Sequence, residues 1–415
     1  MAGNPGLRLH LYCRVVDNYG DAGVSWRLAR QLAAEHGIQV TLWIDRPDVL
    51  RQLAPGAPDS HAAGEAGLTP DDGRRPAPAV TVRPWPDDEA DCLPDPDIVV
   101  CAFGCDPPPG LRARLAGAPA RPLWINLEYL SAEAWVDGCH GLAAIKPADG
   151  AREHFFFPGF RPGTGGLLRE HDLLARRDAF RRSDAAARWW QAMGLPALPG
   201  RRVSVFCYPD APLLPLLRRL AAGPGPTIAV IPQGVAEAAL AAFLAAHPAD
   251  TDERAAAPGL TIAADSARRA APPGTACSRH GHLVLARPPW LDIDDYDRLL
   301  WSCDLNLVRG EDSWIRALWA GRPMVWQPYR QADGAHQAKL EAFLAWRRQP
   351  AWPAADAPIE AFSRAWSEGT DPAPAWAMLE AAWPALETAA ATLAAEAARA
   401  PDLATQLVSY CRSRL

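Results

Sequence analysis

Leu7-Arg8-Leu9-His10-Leu11-Tyr12-Cys13-Arg14-Val15, followed by Val16-Asp17-Asn18-Tyr19-Gly20-Asp21-Ala22-Gly23 and then Val24–Ala34, is the stretch whose reading decides the fold. Leu7, Leu9, Leu11, Cys13 and Val15 recur at every second position, which predicts a strand. A polar, glycine-containing segment interrupts that pattern at Asp17–Gly23. Trp26, Leu28, Ala29, Leu32 and Ala33 then take up helical spacing, and Gly37 offers a natural C-cap. Gln39–Ile44 reads as the next strand. Strand, loop, helix and strand in this order seed a parallel sheet.

The same punctuation continues outward. Val80–Val82, Asp97–Phe103 and Pro122–Leu127 are short apolar runs separated by helical or loop segments. A second series opens at Arg202–Tyr208 as a strand, then Leu213–Leu220 as a helix, Thr227–Ile231 as a strand and Val235–Ala246 as a helix. It resumes with Leu283–Ala286, the helix Asp294–Ser302, the strand Leu305–Val308, the helix Asp312–Ala320, the strand Met324–Gln327 and the helix Ala335–Ala345. The expected fold class is therefore α/β, with two facing Rossmann-like domains and a cleft between them. Their predicted bounds are 1–185 and 186–370, with a helical tail at 371–415. Residues 248–280 are polar and aperiodic and read as a surface insertion. In Ala151–Trp190 the many arginines read as solvated helix surface plus a turn.

A chain of 415 residues, 49% hydrophobic, suits two cores. It has no run of 18 apolar residues and no basic head leading into an apolar stretch, so neither a membrane span nor a signal peptide is expected. The cytoplasm is the expected location. The net charge of −6 argues against general nucleic-acid binding, which needs a basic face. The nine cysteines are scattered, and Cys101 and Cys105 lack zinc-knuckle spacing. His280 and His282 fall in an apparent loop and form no metal-type pair, so no metal is expected.

Candidate chemistry sits at three places. Ligands in open α/β sheets bind beyond the carboxyl ends of strands, where the Asp17–Gly23 loop falls. That loop lacks G-x-G-x-x-G but offers Asp17 and Asp21 as an acid pair. An Asx-turn at Asp17 with a helix N-cap near Asp21 explains the same residues without chemistry. Arg309-Gly310-Glu311-Asp312-Ser313 lies between a strand and a helix, where an arginine and free N–H groups suit a diphosphate and carboxylates suit sugar hydroxyls. A capped helix with acids complementing its dipole is the competing account. Phe206 and Tyr208, at alternate positions near a strand end, can stack on a nucleobase or simply fill the core.

Taken together, Val15–Asp21 with Trp26–Arg30, Phe155–Gly159 with Thr164–Glu170, and Asp295–Leu300 with Arg309–Ser313 resemble the EarP family of elongation factor P arginine rhamnosyltransferases. Arg316-Ala317, Ala320-Gly321, Trp326, Tyr329, His336 and Lys339-Leu340 extend the likeness. The resemblance implies a GT-B fold, dTDP-β-L-rhamnose as donor, inverting transfer to an arginine of elongation factor P, and no metal or other cofactor. It implies Asp17 and Asp21 as the catalytic pair, with Asp21 the base, and Glu311 as essential for donor placement or catalysis. Phe206 and Tyr208 would flank the thymine, while Arg309, Asp312, Ser313 and Tyr329 would contact the diphosphate and ribose. Trp290, Ile293 and Tyr296 would line the base pocket, although the family often has Phe and Gln in place of Trp290 and Ile293. Other GT-B enzymes (an epimerase or a small-acceptor transferase) and a non-catalytic protein that docks on a translation factor are the alternatives.

Overall fold

The computed structural model describes residues 6–17, 19–57, 80–85, 94–250, 274–348 and 351–415. The chain forms two compact units, residues 1–171 with 398–415, and residues 172–397. The first contains β1 (Arg8–Cys13), α1 (Gly20–His36), β2 (Gln39–Ile44), α2 (Pro47–Leu53), β3 (Val80–Pro84), β4 (Ile98–Ala102), α3 (Pro109–Ala116), β5 (Leu123–Leu127), β6 (Ala143–Ile145) and β7 (Arg152–Phe156). Its sheet runs β3-β2-β1-β4-β5-β7-β6. All neighbours are parallel except β6, which turns back antiparallel on β7.

β1 is an interior strand of this sheet, between β2 and β4, and both of its faces are covered. Leu9, Leu11 and Cys13 fill one face as the alternation predicts. The other face is closed by His10 and Tyr12, whose ring stacks on Trp43 at 6.1 Å. Burial drives the His10 imidazole down to about 4, so it sits there as a neutral core side chain. The first helix begins four residues before its apolar periodicity, because first-turn N–H groups need no partner inside the helix. It ends where expected, at Gly37 with φ 68°, whose N–H bonds to the carbonyls of Ala33 and Leu32.

The second unit holds α4 (Leu173–Arg182), α5 (Ala185–Ala192), β8 (Arg201–Val205), α6 (Leu213–Ala221), β9 (Thr227–Val230), α7 (Glu237–Ala246), β10 (Ala276–His280), β11 (Leu283–Arg287), α8 (Ile293–Ser302), β12 (Leu305–Arg309), α9 (Asp312–Ala320), β13 (Met324–Gln327), α10 (Ala335–Arg347), α11 (Pro353–Glu368), α12 (Ala373–Ala381) and α13 (Trp383–Ala397). The sheet order is β10-β11-β9-β8-β12-β13, parallel throughout except for β10. The last helix, α14 (Leu403–Arg412), belongs to the first unit.

Four expectations change. The boundary lies at 171/172 instead of 185/186, because α4 is tied into the second unit. Arg177 donates to the Trp319 carbonyl, and Arg181 donates to those of Trp301 and Ala320. Those two arginines therefore serve as helix C-terminal donors, where the sequence suggested solvated charge. The segment 371–415 is not a separate tail: α12 and α13 join the second unit, while Gln31 on α1 donates to Asp402 at 3.0 Å ahead of α14. Finally, residues 276–280 of the supposed insertion form the edge strand β10, and His280 is a buried strand residue with no loop character. Residues 251–273 lie outside the described residues.

One ion pair joins the helices that flank β12. Arg316 on α9 meets Asp297 on α8 through two parallel bonds, Nε to Oδ1 at 2.9 Å and Nη2 to Oδ2 at 2.6 Å. Both side chains are sealed, at 1% and 2% exposure. Removing one partner strands the other charge in the core, so Arg316→Met should cost about 3–5 kcal/mol. Urea unfolding of the purified variant measures this, and a loss under 1 kcal/mol would show the pair to be dispensable.

Candidate active site

The acid loop leaves β1 at its carboxyl end and enters α1. Asp21 lies in the first turn of that helix and is 3% exposed. Its carboxylate reaches backwards: Oδ2 accepts the N–H of Val16 at 2.8 Å and of Asp17 at 2.9 Å. The loop also closes on a turn in which Gly20 N–H donates to the Asp17 carbonyl at 2.8 Å. The N-cap is Tyr19, which makes no side-chain capping bond. The capping account of Asp21 therefore gives way to a carboxylate that organises the approach to its own helix. Asp17 is half-buried beside it, and Asp45 holds Val15 N–H at 2.9 Å.

Burial is the largest influence on Asp21 and raises its pKa above the ordinary carboxylate value. The two N–H donors oppose that rise, while the charges of Asp17 and Asp45 add to it. A carboxylate held this way is a stronger base than a solvated one.

In the second unit, Arg309 closes β12 opposite Gln327 of β13. Gly310, at φ 66°, turns the chain into α9, and the buried Trp326 Nε1 donates to its carbonyl at 2.9 Å. Trp326 stacks on Trp314 at 3.6 Å, which fixes the turn from below. Glu311 is the N-cap residue of α9 but makes no side-chain capping bond. Asp312 starts the helix and Ser313 follows. The Ser313 hydroxyl spends its proton on the Arg309 carbonyl. The acids do complement the helix dipole, as the competing account required, but Glu311 does not cap.

Arg309 extends over two aromatic faces, 4.6 Å from the centre of Phe206 and 4.4 Å from that of Tyr208. Its buried Nε has no hydrogen-bond partner among the described residues. Phe206 meets Trp290 at 6.1 Å and Tyr296 at 5.8 Å, and Tyr208 meets Tyr329 at 5.6 Å. Tyr296 is buried, which pushes its phenol well above the ordinary value. Ile293 opens α8 behind Asp292, whose side chain caps that helix, and is buried. The structure thus gathers Phe206, Tyr208, Trp290, Tyr296, Arg309, Asp312, Ser313 and Tyr329 at the carboxyl edge of one sheet. Phe206 and Tyr208 lie just past the end of β8, in the loop, and not within the predicted strand.

Sequence reading missed Gln327. It is 2% exposed, accepts Tyr208 N–H on Oε1 at 2.9 Å and donates Nε2 to Asp210 at 3.1 Å. The signal was a polar residue ending the apolar run Met324-Val325-Trp326.

Among the described residues no group of three or more His, Cys, Asp or Glu is placed to hold a metal ion, and no helix is long and apolar enough to cross a membrane. Two doubly wound units with ligand-type residues at the strand carboxyl ends define a GT-B glycosyltransferase. The chain belongs to the family described as elongation-factor P (EF-P) rhamnosyltransferase EarP, whose pattern it matches over residues 9–412. It is 42% identical to the protein-arginine rhamnosyltransferase of Pseudomonas putida over 409 residues, 98% of either chain. It is 32% identical to that of Neisseria meningitidis serogroup B over 338 residues, 80% of this chain and 77% of the other. A solved structure described as the structural basis for EarP-mediated arginine glycosylation of translation elongation factor EF-P is 32% identical, with a TM-score of 0.62 over 98% of this chain and 99% of its own.

The loop bonds of Asp21 are testable apart from any reaction. Asp21→Ala deprives two N–H groups of their acceptor and should destabilise the first unit by about 1–3 kcal/mol, whereas Asp21→Asn keeps an acceptor oxygen and should cost less. Thermal melts of the two variants compare them, and equal losses would contradict the bonding.

Proposed function

We propose that the chain transfers rhamnose, with inversion, from dTDP-β-L-rhamnose to an arginine side chain of elongation factor P. The observation that carries the donor half is Arg309: a guanidinium laid over two aromatic rings, with a buried and unsatisfied N–H, beside the amino end of α9. Such an arrangement suits a diphosphate, which takes both the charge and the helix-end N–H groups. Because the Ser313 hydroxyl is committed to the Arg309 carbonyl, Ser313 would meet phosphate through its backbone N–H. Phe206, Trp290 and Tyr296 offer the aromatic wall for thymine, with Ile293 behind them, and Tyr208 and Tyr329 border the ribose and phosphate. Asp312 and Glu311 are acids suited to hydroxyl groups of ribose and sugar. As the sugar leaves dTDP, the departing charge falls to Arg309 and the α9 amino end, and no metal is invoked.

The acceptor sets a harder problem. A guanidinium is protonated in water and its lone pair is delocalised. Bond formation at the anomeric carbon needs a proton taken from the attacking nitrogen. Asp21, whose basicity burial raises, is assigned that step through Oδ1, since Oδ2 holds the loop. Asp17 is assigned to orient the guanidinium and localise its electrons. The named relatives in Pseudomonas putida and Neisseria meningitidis support the rhamnosyl group and the arginine, and the structural relative supports the protein acceptor.

Incubation with dTDP-rhamnose and elongation factor P should add one deoxyhexose mass to the acceptor, read by intact mass spectrometry; an unchanged mass overturns the assignment. Asp21→Asn should slow transfer by a factor on the order of 10² or more while dTDP affinity holds. The acid limb of the wild-type rate profile should lie above the ordinary carboxylate range, since the base must lose its proton and its pKa is raised. Arg309→Ala should weaken dTDP by about 1.5–3 kcal/mol and thymidine far less. Calorimetry showing equal losses for both ligands would remove Arg309 from the diphosphate.

A further inference from the structure

The first sheet has a second concave site, at the edge away from the acid loop. β1, β4, β5 and β7 are parallel, so the amino ends of β5 and β7 lie opposite the edge that carries Asp17 and Asp21. A cavity of about 370 Å³ opens there, with Ala116, Leu123 and Trp124 among its lining residues. Arg121, just before β5, Arg152, at the start of β7, and Arg414, just past α14, line it together with His154. No ion pair joins these three arginines to a carboxylate among the described residues. Two residues of the lining carry a carboxylate, the last residue Leu415 and Asp149, and Asp149 is already engaged: Oδ2 lies 2.5 Å from Arg112 Nε, and Oδ1 accepts the N–H of Ala151 at 2.9 Å.

The fourth group is His154, whose protonation is set by its neighbours. The Tyr410 hydroxyl donates its single proton to the Gly141 carbonyl at 3.1 Å. With that proton on Gly141, the 2.8 Å contact with His154 Nδ1 is assigned as an imidazole N–H donating to the phenol oxygen. His154 Nε2 is then an acceptor in the neutral ring and becomes a donor only when the ring takes a second proton, the form an anion in the cavity would favour. Arg414 is held ready by its stacking on Tyr410, 3.5 Å from the ring centre, and by bonds to the Tyr410 carbonyl and the Ser413 hydroxyl. Like charges lining one cavity repel one another unless an anion joins them, and guanidinium groups match phosphate oxygens in pairs.

We propose that this cavity binds a small phosphate-bearing molecule, a phosphomonoester or diphosphate, through Arg121, Arg152, Arg414 and protonated His154. Its volume falls within the range of small-ligand sites. Around the His154 ring stand Arg152 on its own strand, Tyr410 and Arg414 from the C-terminal segment, and His140 across Tyr410, so an incoming anion would reverse a locally positive field. Burial, Arg414 and Arg152 hold the free imidazole below its ordinary pKa.

The test follows the His154 ring protons by NMR across pH in the full chain, with inorganic pyrophosphate as the probe. Millimolar pyrophosphate should raise the His154 midpoint by about one unit, a tenfold preference for the protonated form. Arg152→Ala with Arg414→Ala should weaken the response more than about tenfold. Arg309→Ala should leave it intact, which separates this cavity from the donor pocket. Rhamnosyl transfer by Arg152→Ala should match wild type. An unmoved His154 midpoint, an equal response to chloride, or full response in the double arginine variant would each overturn the proposal. A response to an oligoglutamate peptide but not to pyrophosphate would do so in favour of an acidic protein segment. Arg121→Ala is the second variant, should the double substitution fail to fold.

Discussion

The doubly bonded Arg316–Asp297 pair fixes the register of α8 against α9, and five of the nine residues proposed to hold the donor (Ile293, Tyr296, Arg309, Asp312 and Ser313) lie on those two helices or on the strand between them. Ile293 and Tyr296 precede Asp297 on α8, and Asp312 and Ser313 precede Arg316 on α9. A slip of α8 would carry Tyr296 away from Phe206 and open the aromatic wall. The pair is costly to bury, since two charges leave water, and a hydrophobic replacement of similar volume could hold the helices together as firmly. What the bidentate geometry adds is a defined angle and height, and a site for a planar base and a diphosphate needs both.

The loops at the strand ends show the same division between holding and acting. Trp314 and Trp326 stack beneath the Gly310 turn, Gln327 ties Tyr208 to Asp210, and Asp21 gathers the N–H groups of its own loop. These bonds leave Arg309 with a buried, unsatisfied N–H in a fixed frame. A flexible loop would let that guanidinium find a partner, and the charge would be spent before a ligand arrived.

Much of this was readable in order along the chain. β1, α1 and β2 announced themselves through spacing and through Gly37, because local propensity and burial agree there. Arg309–Ser313 was visible because an arginine, a glycine and two acids interrupted the alternation of strand and helix. β10 escaped because an edge strand with polar, exposed residues carries no period-two signal. The unit boundary escaped because Arg177 and Arg181 look like any solvated helical arginines until their carbonyl acceptors, more than a hundred residues away, are in view. Gln327 and the Asp21 loop bonds share that cause: a side chain's partner is a fact of tertiary structure, whereas its residue type is a fact of sequence.

That distinction bears on the step proposed for Asp21, in which a carboxylate takes a proton from a guanidinium. In water an aspartate is too weak a base to matter to an arginine, and sequence alone supplies only the aspartate. The fold changes its strength in two opposing ways at once. Burial against the strand end raises the pKa of Asp21, and two backbone N–H groups lower it again, with the neighbouring charges of Asp17 and Asp45 adding to the rise. The same N–H bonds fix one oxygen and so define the direction of the other. Basicity gained from burial would be of little use on a freely rotating group, since proton transfer needs a short and aligned approach. The loop therefore gives up part of the pKa gain in return for orientation, which is the more valuable property in the proposed reaction, where the proton leaves late as the new bond to the sugar forms.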